Sequence, residues 1–376
     1  MSSYTEQKEK WEQVRNTPHL KKVREGNYDP GPWLASEPGD GVWGQWGIKA
    51  KPGRRGLTFF ELLAAGDEPP PDEGYDTPQI RGAGMDTRFP LGKMEYPANK
   101  KYQVWSQNVI GLYEEAVSRQ WSAARDIPWD KLTPLSKEME KSLCHICTLL
   151  TRIEIGGSDR LGPWIPKIGN AYQEVKMFLC TQIMDESRHM EVFRKRALAN
   201  GGGMGATFGT STSLDAYETD AMRNLFRDYN SASFLIHFSG EGMVLDIFRF
   251  AEFLGQTDVD KTIFQRVMQD EARHVSYGTM RLAYYLENAP DREDAILQLH
   301  HIADQVETRQ TLFLLLNPHM LEAGAILAAG GTTNIERGYD AYRQIYLNAR
   351  EEYLRRCDRV GFPRRDKCAL PPEPPF

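Results

Sequence analysis

The chain has 376 residues, of which 40% are hydrophobic and 26% charged, and its net charge is −6. This is the length of one large domain or two ordinary ones, with the composition of a water-soluble globular protein. No dense Lys/Arg tract suggests a nucleic-acid partner, no apolar run reaches the ~18 residues of a membrane span, and the stretch from Met1 to Lys8 lacks the apolar core of a signal peptide. The expected setting is cytoplasmic.

Residues 1–100 show little regular periodicity and much Gly, Pro and Trp, with one short helix expected from Thr58 to Ala65. Trp11, Trp33, Trp43 and Trp46 lie among turn signals such as Asp29-Pro30-Gly31-Pro32. They suggest an irregular arm that packs on its own core or on a partner subunit. Gly39 to Gly44 matches the dinucleotide-binding fingerprint by letter, but it follows no strand pattern and opens no helix, so it is set aside.

From Lys101 the pattern is helical. One helix is expected through Tyr102, Trp105, Val109, Leu112, Ala116 and Trp121, stopping at Ile127-Pro128. A second runs through Leu135, Leu143 and Ile153 to the region of Gly156-Gly157 and Gly162-Pro163. Within it, Cys144-His145-Ile146-Cys147 has zinc-like spacing but no second Cys pair, and is read as core. A third helix spans about 170–199, and a Gly/Ser/Thr-rich loop covers 201–213. A short helix is then expected over 215–228, a longer one over 231–254, and one capped by Asp258 that reaches Leu286. Further helices are expected over 291–316, 318–329 and 334–359, before an extended Pro-rich tail. The class is all-α, with an arm (1–100), a helical bundle (101–290) and additional C-terminal helices (291–376).

One five-residue phrase occurs twice: Asp185-Glu186-Ser187-Arg188-His189 and Asp270-Glu271-Ala272-Arg273-His274. Each contains Glu-x-x-His, which puts a carboxylate and an imidazole one turn apart on one helix face. A chain with eight histidines gives roughly one such spacing by chance. Two copies with the same flanking Asp and Arg point instead to a cage for two iron or manganese ions in a four-helix bundle, completed by one carboxylate from each of two further helices.

Height in the bundle selects those two carboxylates. For antiparallel neighbours the connecting turn lies midway between paired ligands. Residue 170 is midway between Glu154 and Glu186, at the turn signal Gly169-Asn170; residue 256 is midway between Glu241 and Glu271, within Gly255-Gln256-Thr257-Asp258. A shift of one helical turn would miss the metal by about 5 Å. The candidate ligands and catalytic residues are therefore Glu154, Glu186, His189, Glu241, Glu271 and His274. Gly240 and Gly242 flank Glu241, and each costs about 1 kcal/mol in a helix interior relative to Ala. A π-bulge, room for the carboxylate and close helix packing are the three readings of that pair. Four carboxylates and two imidazoles with almost no thiolate suit Fe or Mn.

Each ligand His needs an outer acceptor for its second ring N–H, and Asp185 and Asp270 are the natural candidates, with Arg188 and Arg273 placed to balance them. His237, one turn before Glu241, is read either as an extra or outer partner of the site or as a core histidine bonded to a backbone carbonyl. Leu150, Phe178, Phe193, Phe234 and Phe238 are expected to bound an apolar substrate pocket.

On these residues the chain resembles the ferritin-like di-iron carboxylate superfamily. Its repeated phrase is similar to that of bacterial di-iron monooxygenase hydroxylases and aryl-amine N-oxygenases. The resemblance covers about residues 100–290 and implies a ferritin-like bundle, O2 as co-substrate, and hydroxylation, N-oxygenation or epoxidation of an apolar, aromatic or acyl-type small molecule. It also implies a homodimer. The alternative within the same superfamily is a radical-generating small subunit of the ribonucleotide reductase type. There a tyrosine stands four residues after the first motif's His, and this chain has Phe193. The N-oxygenases carry an additional His ligand one turn before the last Glu, where this chain has Val267. A non-catalytic helical scaffold is the reading from another class. No flavin, NAD or iron–sulfur motif is present, so an external electron donor, a ferredoxin or a reductase, is expected.

Overall fold

A computed structural model describes residues 3–27, 34–37, 44–86, 90–205, 227–315 and 318–376. The dinucleotide-like stretch, Trp33 and Trp43, most of the loop expected over 201–213, and nearly all of the helix expected over 215–228 lie outside the described residues. Among the described residues there are helices and isolated bridges but no strand. No described helix is long and apolar enough to cross a membrane.

Four helices surround the centre: α6 (Lys137–Leu161), α7 (Gln173–Ala199), α8 and α9 (Asp258–Asn288). The helix α8 begins as Tyr229–Ser233, widens to a π-helical stretch at Phe234–Gly240 and resumes as α-helix over Glu241–Phe250. Leu143, Ile146, Leu150, Val192, Phe193, Phe238, Phe264 and Val267 fill the space between them. The C-terminal helices α10 (Arg292–Leu315), α11 (Pro318–Ala329) and α12 (Ile335–Arg359) pack around this bundle, and the 370–376 tail returns onto α12 through Tyr346 Oη and the Pro371 carbonyl, 2.7 Å apart.

Several expected boundaries shift for identifiable reasons. The helix expected over 101–127 is two pieces, α4 (Lys101–Val104) and α5 (Val109–Ser118). Between them Ser106 and Asn108 bond each other, and Asn108 donates to Ser276 Oγ of α9 at 2.8 Å. Polar side chains that find partners inside end a helix the apolar spacing would have continued. The cap of α9 is Thr257, in a reciprocal box with Asp260, and Asp258 is its first helical residue.

The N-terminal region holds two helices that its apolar spacing did not indicate, α1 (Tyr4–Arg15) and α2 (Pro18–Arg24), besides the expected α3 (Phe59–Ala64). Neither α1 nor α2 buries a residue. A Ser3–Glu6 capping box starts one and Pro18 the other, so local chemistry specifies them without an apolar face. Of the two described tryptophans here, Trp11 is 72% and Trp46 66% exposed, so neither is buried against the chain's own core. Instead Arg81, buried, pairs with Glu174 of α7 and donates to the Ala171 carbonyl at 2.8 Å, and Ala98 exchanges backbone hydrogen bonds with the Lys167–Gly169 stretch.

Candidate metal centre

Each of the four bundle helices sends its expected side chains inward to one place. Glu154, Glu186, His189 and Glu271 offer atoms within 4.8 Å of one another, and so do Glu186, Glu241 and His274. Glu186 belongs to both groups. Glu271 also spans them, with Oε1 3.3 Å from His189 Nδ1 and Oε2 3.5 Å from His274 Nδ1. His189 Nδ1 lies 3.5 Å from Glu154 Oε2, and His274 Nδ1 3.4 Å from Glu186 Oε1 and 3.8 Å from Glu241 Oε1. The imidazole centroids are 6.3 Å apart. Five of the six side chains are almost completely buried; Glu241 is 12% exposed.

Five atoms at this place have no hydrogen-bonding partner: Nδ1 of His189 and of His274, Glu186 Oε1, Glu241 Oε2 and Glu271 Oε2. A buried polar atom without a partner costs about 1–3 kcal/mol, and five gathered in one pocket would be a severe burden on a metal-free design. They are instead the donor set of a cation site, carboxylate oxygen with some imidazole nitrogen, which is the set iron and manganese take. The residues present therefore fit two such ions.

The electrostatics agree. Burial, and then the Glu154 and Glu271 carboxylates, push Glu186 well above the usual carboxylate range. Burial likewise lifts Glu241 to about 8 against the pull of His274. For His274 burial acts downward, but Glu241, Asp185 and Glu271 outweigh it and raise the imidazole to about 10. His189 is raised in the same way by Asp270, Glu154 and Glu271, whereas Glu271, despite burial, is held at about 2 by the two imidazoles. Without a metal the pocket retains protons to limit its own repulsion; metal ions would replace them.

The outer aspartates act across the bundle rather than along their own helices. His189 Nε2 on α7 donates to Asp270 Oδ2 on α9 at 3.2 Å, and His274 Nε2 on α9 donates to Asp185 Oδ2 on α7 at 3.2 Å. With Nε2 committed, Nδ1 is the ring nitrogen that faces the site. Arg188 and Arg273 each bridge both aspartates, with Arg188 Nη2 3.3 Å from Asp270 Oδ2 and Arg273 Nη2 3.0 Å from Asp185 Oδ2. Trp121, which the sequence placed on a helix face, lies beyond the end of α5 and donates Nε1 to Asp270 Oδ2 at 2.7 Å. Nothing in its spacing signalled that role.

The glycines beside the ligands have separate reasons. In the π-helical stretch the Glu241 N–H bonds the Ile236 carbonyl, five residues back, and a Cβ on Gly240 would stand 2.6 Å from the Leu235 carbonyl oxygen. Only glycine fits that wide turn. Gln310 of α10 reaches into the same turn and donates Nε2 to the Ser239 carbonyl at 3.0 Å. Gly242 makes way for the Arg356 guanidinium, which pairs with Asp246 at 2.9 Å. Gly157 does not end α6, which continues to Leu161; a Cβ there would press on Glu186 Oε2 at 3.0 Å.

A cavity of about 680 Å³ adjoins the carboxylates Glu154, Glu186, Glu241 and Glu271. Leu150, Ile153, Leu235, Val244, Ile247 and Phe248 form much of its apolar wall. Of the residues expected to bound it, only Leu150 does. Phe178 packs at a tilt against Tyr277, Phe193 packs with Phe248 and Phe264, and Phe234 and Phe238 stack on each other, all of them core contacts. His237 bonds no ligand directly and no backbone carbonyl; it bonds Ser233 Oγ at 2.9 Å and Gln182 Oε1 at 3.0 Å, and so is an outer partner of the site at one remove. Gln182 in turn reaches Glu241. It lies four residues before Glu186 and so on the same helix face, a signal the sequence carried. The Cys144-x-x-Cys147 pair is buried and free, with burial lifting the Cys144 thiol to about 12.

No family model and no curated protein matches the sequence. Solved structures of R2-like ligand-binding oxidases resemble the chain. A point mutant with an anaerobically reconstituted Mn/Fe cofactor is 17% identical, with a TM-score of 0.46 over 68% of this chain and 94% of that one. A form with an aerobically reconstituted metal cofactor after photoconversion is 15% identical over the same shares, with a TM-score of 0.44. At these values the assignment of the site rests on the chain's own residues.

Proposed function

We propose that the protein is an O2-dependent oxidoreductase of the ferritin-like di-iron carboxylate type, holding two iron ions, or iron with manganese, on Glu154, Glu186, His189, Glu241, Glu271 and His274. The observation that carries this reading is the gathering of five partnerless ligand atoms beside a largely apolar cavity. Bound there, the metal pair would supply the redox chemistry that reduces O2.

The chain's own residues supply the rest. Glu186 and Glu271 reach both halves of the site and would hold the two ions at a fixed separation. Asp185 and Asp270 fix the imidazoles by their Nε2 protons, and Arg188 and Arg273 pair with both aspartates in the absence of solvent. The aliphatic wall of the cavity excludes water from one side of the carboxylates and suits an apolar, aromatic or acyl-type substrate better than a sugar or phosphate. The reaction we favour is insertion of an oxygen atom into that substrate, as a monooxygenase, with electrons delivered by an external ferredoxin or reductase. Phe193 packs between Phe248 and Phe264, which favours this over a tyrosyl-radical subunit.

The test is O2 uptake by iron-loaded, chemically reduced protein against a panel of apolar substrates, with mass analysis after labelling with heavy oxygen. Label in the product supports the monooxygenase reading. Reduced, fully loaded protein that consumes no O2 contradicts an oxidase of any kind, and a persistent tyrosyl signal without product moves the reading to the radical-generating class.

A further inference from the structure

Gln182 is fully buried on α7, and its amide has two partners from α8. Nε2 donates to Glu241 Oε1 at 2.7 Å, while Oε1 stands 3.0 Å from His237 Nε2. An amide nitrogen can only donate, so the amide oxygen is left to accept from His237, which must carry its proton on Nε2. His237 Nδ1 then accepts from the Ser233 hydroxyl at 2.9 Å. This single orientation satisfies every contact. With Glu241 ionised, as a metal ligand must be, reversing the amide would set two oxygens against each other.

The chain of donors therefore runs Ser233, His237, Gln182, Glu241, and it ends at the most exposed carboxylate of the site. Glu241 sits at the end of the π-helical stretch and lines the cavity. Its Oε1 is occupied by Gln182 and its Oε2 has no partner.

We infer that Gln182, itself held by His237, is a positioning residue for metal binding. It holds Glu241 by Oε1, the oxygen 3.8 Å from His274 Nδ1, and so fixes the carboxylate, whose Oε2 has no partner, beside that imidazole for one of the two ions. This rests on the two-metal reading of the site. Gln182 touches no atom of His189 or Glu154 by hydrogen bond, so its effect falls on one ion only. Without it Glu241 is free to swing into the cavity.

The experiment is a stepwise titration of metal-free protein with Mn(II), followed by electron paramagnetic resonance, and with Co(II), followed by visible absorption. Wild type is compared with Gln182→Leu, which keeps the volume and removes both hydrogen bonds, and with His237→Gln, which keeps a donor toward Gln182. Wild type is expected to bind two ions. Gln182→Leu should weaken one of them about 10–100-fold, the range for losing an outer partner of a ligand, and change its Co(II) spectrum while the other is unaffected. His237→Gln should lie between Gln182→Leu and wild type. Two ions bound by Gln182→Leu as in wild type, or both weakened equally, would overturn the inference. Should Gln182→Leu fail to fold by circular dichroism, Gln182→Met, which also removes the donor, must show the same one-ion loss or the role is wrong. If wild type itself binds no ion, the two-metal reading fails, an outcome distinct from failure of the Gln182 role alone.

Discussion

The two halves of the centre start from the same five-residue phrase and end differently. The His189 half takes its unshared carboxylate, Glu154, from the regular helix α6, and although Glu154 also borders the cavity, every member of this half is almost completely buried. The His274 half takes Glu241 from a π-helical turn at the rim of a cavity, where the carboxylate is partly open and restrained by a side-chain amide. The repeated motifs α7 and α9 are near-equivalent: each contributes a carboxylate that spans the halves and an aspartate that serves the opposite histidine. The asymmetry comes from the helices that supply only one ligand. A rigid half paired with an adjustable half is what a site needs if it is to keep its metals while a substrate approaches from one side.

The largest effect should come from a residue both halves share. Glu186→Ala removes a member of both ligand groups, so metal analysis should fall from about two ions per chain to fewer than one. Retention of two ions would show that the halves are independent. Asp270→Asn acts on the enclosed half: His189 loses an ionised acceptor that also holds Trp121, and the affinity of that half should drop about 10–100-fold by metal titration with the other half little changed. Equal loss at both ions would mean that the arginine-bridged aspartates act as one unit.

Gly240→Ala tests the open half. The added methyl meets the Leu235 carbonyl, so the turn must give way, at a cost of about 1–3 kcal/mol in denaturant unfolding. It should also displace Glu241, weakening one ion. A variant as stable as wild type, with both ions bound, would show that the wide turn is dispensable. The smallest effect is on pH dependence without metal. Glu241, held at about 8, and His274, at about 10, both bind protons more tightly in the folded than in the unfolded protein. The folded state thus carries more protons through this range, and the metal-free melting temperature should fall as pH rises from about 6 to about 9. Bound metal displaces those protons, so the stabilisation by metal should grow over the same interval. A metal-free melting temperature that rises with pH would contradict the charge arrangement.

The ligands were legible because Glu-x-x-His has a fixed meaning on a helix and because the turn positions fix the height of Glu154 and Glu241. The helical class followed from apolar spacing for α6, α7 and α9, whose cores are dense. Legibility failed where contacts rather than periodicity decide. The exchange of Asp185 and Asp270 between opposite histidines, the indole of Trp121 beneath Asp270 and the amide of Gln182 on Glu241 all depend on which faces meet. Gly240 signalled something unusual, but three causes fitted it until the Leu235 carbonyl was seen beside it. The apolar pocket differs from expectation for a similar reason: Phe178, Phe234 and Phe238 are apolar residues of the ligand helices, but aromatic partners draw them into the core.

The most direct measurement is anomalous diffraction from crystals of the iron- or manganese-loaded protein. Two peaks are expected, one at Nδ1 of His189 and the other at Nδ1 of His274, with Glu186 within reach of both. No peak between these imidazoles, or a single ion with the other histidine unliganded, would contradict it.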